Sequence, residues 1–171
     1  RQAAAWPRAL ANLRLSINVT AADIAQPGFM NDLLAIVDRS GFPRARLTVE
    51  ITESGLIEDV DAAGALLTAL RAEGLAVAID DFGTGYSSLA YLKSLPLDYL
   101  KIAGQFVRDL AEDPLDEAAV RAFVDVAQVV GLRTVAGCVD SEAAQARLGR
   151  LGVDFSQGFL LHRPVALEQL L

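Results

Sequence analysis

The chain has 171 residues, 53% of them apolar, which suits one globular domain with a sizeable core and leaves no room for a second of ordinary size. Its 22 acidic and 15 basic residues give a formal charge of −7. With no Lys/Arg cluster, that balance excludes a duplex nucleic-acid binder and an anionic membrane surface as partner, though not a small anionic nucleotide.

Short β-branched runs alternate with helical patterns along the chain. The first strand is expected at Arg14–Asn18. A helix at Asn31–Arg39 carries Leu33, Leu34, Ile36 and Val37 on one face. Leu47–Thr52 is the second strand, and a helix over Val60–Glu73 carries Leu66, Leu67 and Leu70. The third strand, Ala76–Asp80, leads into a glycine-bearing loop, where Ser87 or Ser88 would cap a helix through Leu89 and Leu92. Tyr99–Ile102 is the fourth. After the polar break Glu112-Asp113-Pro114, a helix over Glu117–Val130 carries Val120, Phe123, Val124 and Ala127. Arg133–Ala136, a helix over Ser141–Leu151 capped by Ser141, and Asp154–Ser156 complete the series. Gly41, Gly74, Gly131 and Gly152 stand where helices would stop. This alternation predicts an α/β domain with a parallel sheet covered by helices; an open doubly wound sheet and an eight-stranded barrel fit it equally.

In parallel α/β folds the reacting groups gather at the carboxyl ends of the strands. Those ends carry Asn18, then Glu50 and Glu53, then Asp80 and Asp81, then Lys101, then Gly137, then Gln157. Three of these carboxylates, Glu50, Asp80 and Asp81, with the Asn18 amide beside them suit Mg²⁺ or Mn²⁺, and two such ions can activate water and hold a phosphodiester. Lys101 can neutralise a phosphate or help deprotonate water. Plainer roles stand beside each: Thr52 and Glu53 as helix caps, Asp81 as a turn cap, Asn18 satisfying backbone groups, Lys101 as an ordinary ion-pair partner. Gly83 and Gly85, with Thr84, Ser87 and Ser88, form a polar loop suited to a lid or a dimer contact. His162 has no second His as co-ligand and reads as a surface residue, and Trp6 reads as helix packing.

A single Cys138 forms no intrachain disulfide, no apolar run approaches the roughly 18 residues of a spanning helix, and no signal peptide opens the chain. A cytoplasmic setting is expected, or a cytoplasmic domain of a membrane-anchored parent with no direct membrane contact of its own.

Ser16-Ile17-Asn18-Val19-Thr20, Glu50-Ile51-Thr52-Glu53-Ser54, the run from Asp80 to Leu89, the stretch Leu95–Ile102, and Gln157-Gly158-Phe159 occur in this order along nearly the whole chain. They resemble the EAL family of cyclic di-GMP phosphodiesterases. The resemblance implies one EAL-like domain over residues 1–171, incomplete at its N-terminus, with the family's modified TIM (β/α) barrel and its first two strands missing before Arg1. It implies Asn18, Glu50, Asp80 and Asp81 as ligands of Mg²⁺ or Mn²⁺, Lys101 as the lysine assisting the attacking water, and Gln157 as a residue supporting that water or the metal site. Residues 82–89 correspond to the loop that couples dimerisation to metal binding, which gives roles to Glu53, Gly83, Thr84, Gly85, Ser87 and Ser88. A homodimer through that loop, and GGDEF or sensory modules in the parent chain, are further implications.

The sequence departs from the family where Ala-Glu-Gly-Val-Glu is replaced by Ala136-Gly137-Cys138-Val139-Asp140, and where Lys-Ile-Asp is replaced by Lys101-Ile102-Ala103. Gly137 and Ala103 lack expected carboxylates, Asp140 is shortened, and the segment that holds the Glu-Ala-Leu signature is absent from this sequence. Loss of carboxylates predicts a weakened metal site. The expectation is a degenerate domain that binds cyclic di-GMP or pGpG as a receptor or regulatory module. An active phosphodiesterase and a nucleotide-independent scaffold are the alternatives.

Overall fold

The computed structural model describes residues 13–85, 89–166 and 169. Six parallel strands lie in chain order: β1 (Leu15–Val19), β2 (Leu47–Thr52), β3 (Ala76–Phe82), β4 (Tyr99–Ile102), β5 (Arg133–Ala136) and β6 (Phe155–Ser156). Between them run α1 (Ala21–Ala25), α2 (Phe29–Ser40), α3 (Glu53–Glu58), α4 (Val60–Ala72), α5 (Leu89–Ser94), α6 (Gln105–Arg108), α7 (Pro114–Val130) and α8 (Glu142–Leu151). The expected strands recur within a residue or two at each end. Of the helices, α1, α3 and α6 escape a periodicity reading because five, six and four residues are too few to show a 3.6-residue stripe.

Local chemistry sets the longer helices. Asp113 caps α7 by accepting from the Leu115 N–H, and Pro114 occupies the first turn, where its missing donor costs nothing; the helix therefore opens three residues before Glu117. Asp59 caps α4 and Ser141 caps α8 in the same way. Two aspartates at the amino ends of strands tie neighbouring strands together. Asp98 accepts from the Val77 N–H at 2.9 Å and Asp154 from the Thr134 N–H at 2.7 Å.

The two faces of the sheet differ in kind. Leu47, Val49, Ile51, Val77, Ile79, Leu100 and Ile102 are buried against the helices. Each such side chain contributes roughly 1.5–3 kcal/mol. The residues alternating with them are Ser16, Asn18, Thr48, Glu50, Ala78, Asp80, Tyr99, Lys101, Arg133 and Val135, with register pairs Asn18 to Glu50, Thr52 to Asp80, and Tyr99 to Arg133. This mostly polar face lines a cavity of about 380 Å³. Period-two alternation thus sends oil to one side and titratable groups to the other.

Candidate functional site

The polar face ends in a cluster. The Lys101 ammonium donates to Glu50 Oε2 and, at 3.0 Å, to Asp80 Oδ1. The side chains of Lys101, Glu50 and Asp80 are only 14%, 9% and 21% exposed. Burial alone would lower the Lys101 pKa, but the two carboxylates outweigh it and hold the pKa above the ordinary lysine value. An ammonium held this way neutralises charge and orients the two carboxylates.

Asp81 does not join this cluster. β3 carries a register shift between Ile79 and Phe82, and Asp81 sits inside it at φ 53°, exposed. The strand expected to stop at Asp80 instead bulges and continues through Phe82, so Asp81 lines the same cavity as Asp80 without pairing with Lys101. Its carbonyl accepts from the Thr84 hydroxyl at 2.9 Å, while its N–H donates to Asp80 Oδ1 at 3.0 Å. Among the described residues no three His, Cys, Asp or Glu side chains converge as metal ligands would. Asn18 lies beside Glu50 in register, on the exposed end of β1.

Thr52 and Glu53 divide the two roles open to them. Thr52 is the cap, accepting from the Gly55 N–H at 3.2 Å. Glu53, 3% exposed, reaches across to the loop, and its Oε2 accepts from the N–H groups of Gly83 at 2.9 Å and Gly85 at 3.3 Å. Gly83 has φ 98°, and a Cβ there would lie 2.7 Å from the Phe106 ring and 2.8 Å from the Phe123 ring. Those rings meet edge to face with centroids 5.3 Å apart. The loop start is therefore clamped between a buried carboxylate and an aromatic wall. Ser87 and Ser88 lie outside the described residues.

On the other side of the mouth the strand ends are bare. Gly137 leaves open space, since a Cβ would meet only the Ile102 carbonyl oxygen at 3.8 Å. Ala103 is buried and its N–H donates to the Phe82 carbonyl at 3.2 Å. Cys138 is exposed at φ 57°, and its Sγ lies 3.9 Å from Arg108 Nη2. A cavity of about 440 Å³ joins both sides, lined by Asp80, Asp81, Lys101, Gly137, Asp140 and Gln157 together with Arg108 and Cys138. Gln157 is fixed by its backbone, donating to the Ala136 carbonyl at 2.8 Å and accepting from the Val139 N–H at 3.1 Å. The expected site residues therefore form two groups, one around this cavity and one, Glu53 with Gly83 and Gly85, anchoring the loop. Arg108 and Gly104 were not legible from the sequence, because α6 is too short to have a recognisable face.

A family model described as the EAL domain matches residues 1–164. The chain belongs to the EAL domain family. This EAL domain is 42% identical over 161 residues to the bifunctional diguanylate cyclase/cyclic di-GMP phosphodiesterase MucR of Pseudomonas aeruginosa, covering 94% of this chain and 24% of that protein. It thus spans about a quarter of that curated relative's length. A solved structure of the PaMucR phosphodiesterase in complex with c-di-GMP matches with a TM-score of 0.90 at 42% identity, over 94% of this chain and 65% of that one. The EAL domain of Mycobacterium smegmatis DcpA matches with a TM-score of 0.88 at 42% identity, over 94% and 72%. The fold is accordingly that of EAL domains, TIM-barrel-like, which decides between the open sheet and the barrel that periodicity left open. Among the described residues no helix is long and apolar enough to cross a membrane.

Proposed function

We propose that this EAL domain is a cytoplasmic receptor or regulatory module for cyclic di-GMP, in which hydrolysis to pGpG has been lost or slowed. One observation carries the reading: the Glu50–Lys101–Asp80 cluster and its cavity persist while Gly137 and Ala103 present no carboxylate. The c-di-GMP complex of the similar PaMucR phosphodiesterase supports the ligand class.

The donor set fits one divalent ion better than two. Glu50 and Asp80 share the Lys101 ammonium, Asn18 is the register partner of Glu50, and Asp81 lines the same cavity as Asp80, while positions 103 and 137 offer a second ion no carboxylate. A bound Mg²⁺ or Mn²⁺ would polarise a phosphodiester and activate water. Around it, Lys101 holds the acids in place and Gln157 closes the wall. Residues 82–89, anchored by Glu53, are the proposed dimer contact, and GGDEF or sensory modules are the proposed neighbours in the parent chain.

The retained acids and lysine favour a second reading, a slow phosphodiesterase. Calorimetry with cyclic di-GMP on the complete protein, paired with nucleotide chromatography in Mg²⁺ or Mn²⁺, separates the two. The receptor reading expects binding without pGpG. Sustained release of pGpG replaces it with the enzyme, and neither heat nor product leaves a nucleotide-independent scaffold.

A further inference from the structure

Two cations line the larger cavity, Lys101 and Arg108. Lys101 is committed to Glu50 and Asp80. Arg108 has no carboxylate partner among the described residues, and its guanidinium meets the Cys138 thiol at 3.9 Å. Arg108 is exposed, and what sets it apart from other surface arginines is its place at the wall of this cavity. Cys138 is held in the left-handed region, and its Sγ occupies the space beside Gly104, where a Cβ would lie 2.4 Å away. The two positions interlock: the thiol fits because residue 104 has no side chain, and it lies beneath the guanidinium. Next to it, Gly137 supplies no acid that would pair with Arg108 or hold a cation in its place.

We propose that Arg108 binds a phosphate of the ligand at the carboxylate-poor side of the mouth, taking over there the charge-neutralising role that a metal ion would have. The inference rests on the cyclic di-GMP reading and names the contact. The other acids of the cavity leave this corner the favourable one for an anion. Lys101 offsets Asp80 and Glu50 in part, and Asp81 and Asp140 are exposed, as Arg108 is, so no acid among the described residues pairs with the guanidinium to compete with an anion. A guanidinium presents parallel donors whose fork matches the two non-bridging oxygens of a phosphodiester. The cavity, at about 440 Å³, falls in the roughly 300–1,000 Å³ range of small-ligand sites.

The test is calorimetry with cyclic di-GMP on the complete protein, comparing the wild type with Arg108→Gln, Arg108→Lys and Arg121→Gln. Arg121 pairs with Glu117 on α7, away from the cavity, and serves as the charge-matched control. Arg108→Gln should weaken binding about tenfold or more, Arg108→Lys should restore part of it, and Arg121→Gln should leave it unchanged. Phosphorus NMR of the ligand supplies a readout that a structural role would not move: the bound shift of one phosphate should change in Arg108→Gln at saturating ligand. Equal affinity and an unchanged phosphorus shift in Arg108→Gln overturn this inference alone. Absence of binding by the wild type overturns both it and the receptor reading.

Discussion

The two sides of the mouth rest on the same strand and helix alternation, yet their charges are managed differently. On the β2–β4 side two carboxylates carry their own counter-ion, because Lys101 reaches both Glu50 and Asp80. On the β5–β6 side the strand ends carry Gly137 and Cys138, and the free cation of that wall is Arg108. Acids with a resident cation are tolerable in a buried site whether or not a ligand is present, whereas acids that depend on an external ion are costly without it. Carboxylates can therefore be absent at positions 103 and 137 with no penalty to the fold, while removal of Glu50 would take a charge-assisted hydrogen bond from a buried ammonium.

The largest way to break this comparison is Glu50→Ala. It takes one of two carboxylate partners from the buried Lys101 ammonium, leaving Asp80 as the other, and should cost about 3 kcal/mol in urea unfolding at neutral pH through the lost charge-assisted hydrogen bond and the emptied space. The Lys101 pKa is raised in the folded state, so the contribution is fully present below the ordinary lysine value and is lost only as pH rises through the raised one. A neutral-pH loss well under 1 kcal/mol would mean that the cluster is not self-compensated. Gly83→Ala comes next, since it combines φ 98° with a Cβ 2.7 Å from the Phe106 ring. It should lower stability by about 2 kcal/mol in thermal melts, and an unchanged melting temperature would show that the clamp yields.

Gly137→Glu sharpens the contrast from the other direction. The position has room and an unstrained backbone, so stability should stay within about 0.5 kcal/mol. Mn²⁺ affinity, read by electron paramagnetic resonance of the free ion, should rise about tenfold. No gain would place the metal deficit elsewhere, at Ala103. The smallest effect is expected from Cys138→Gly, which relieves φ 57° at the expense of a more flexible unfolded chain. It should stabilise by about 0.5 kcal/mol in chemical denaturation, and a loss would mean that the thiol's packing over Gly104 outweighs the backbone strain.

Much of this molecule was legible along the chain because β-branched runs, caps and helix-stopping glycines are local signals. They placed all six strands, the longer helices, and Glu50, Asp80 and Lys101 at neighbouring strand ends. What alternation cannot carry is a break in its own period. Asp81 follows Asp80 directly, but at the bulge and its left-handed backbone only Asp80 pairs with Lys101, a geometry set by how β3 pairs with β4. Glu53 and the glycine it holds are 30 residues apart, as are Arg108 and Cys138. Such contacts exist only once the parallel sheet has brought distant strand ends side by side. The chain by itself therefore settled the family, the strands and the acids with their lysine. Tertiary packing decided which acids meet, what grips the loop, and which arginine faces the cavity, because each depends on backbone turns and long-range distances that no local pattern encodes.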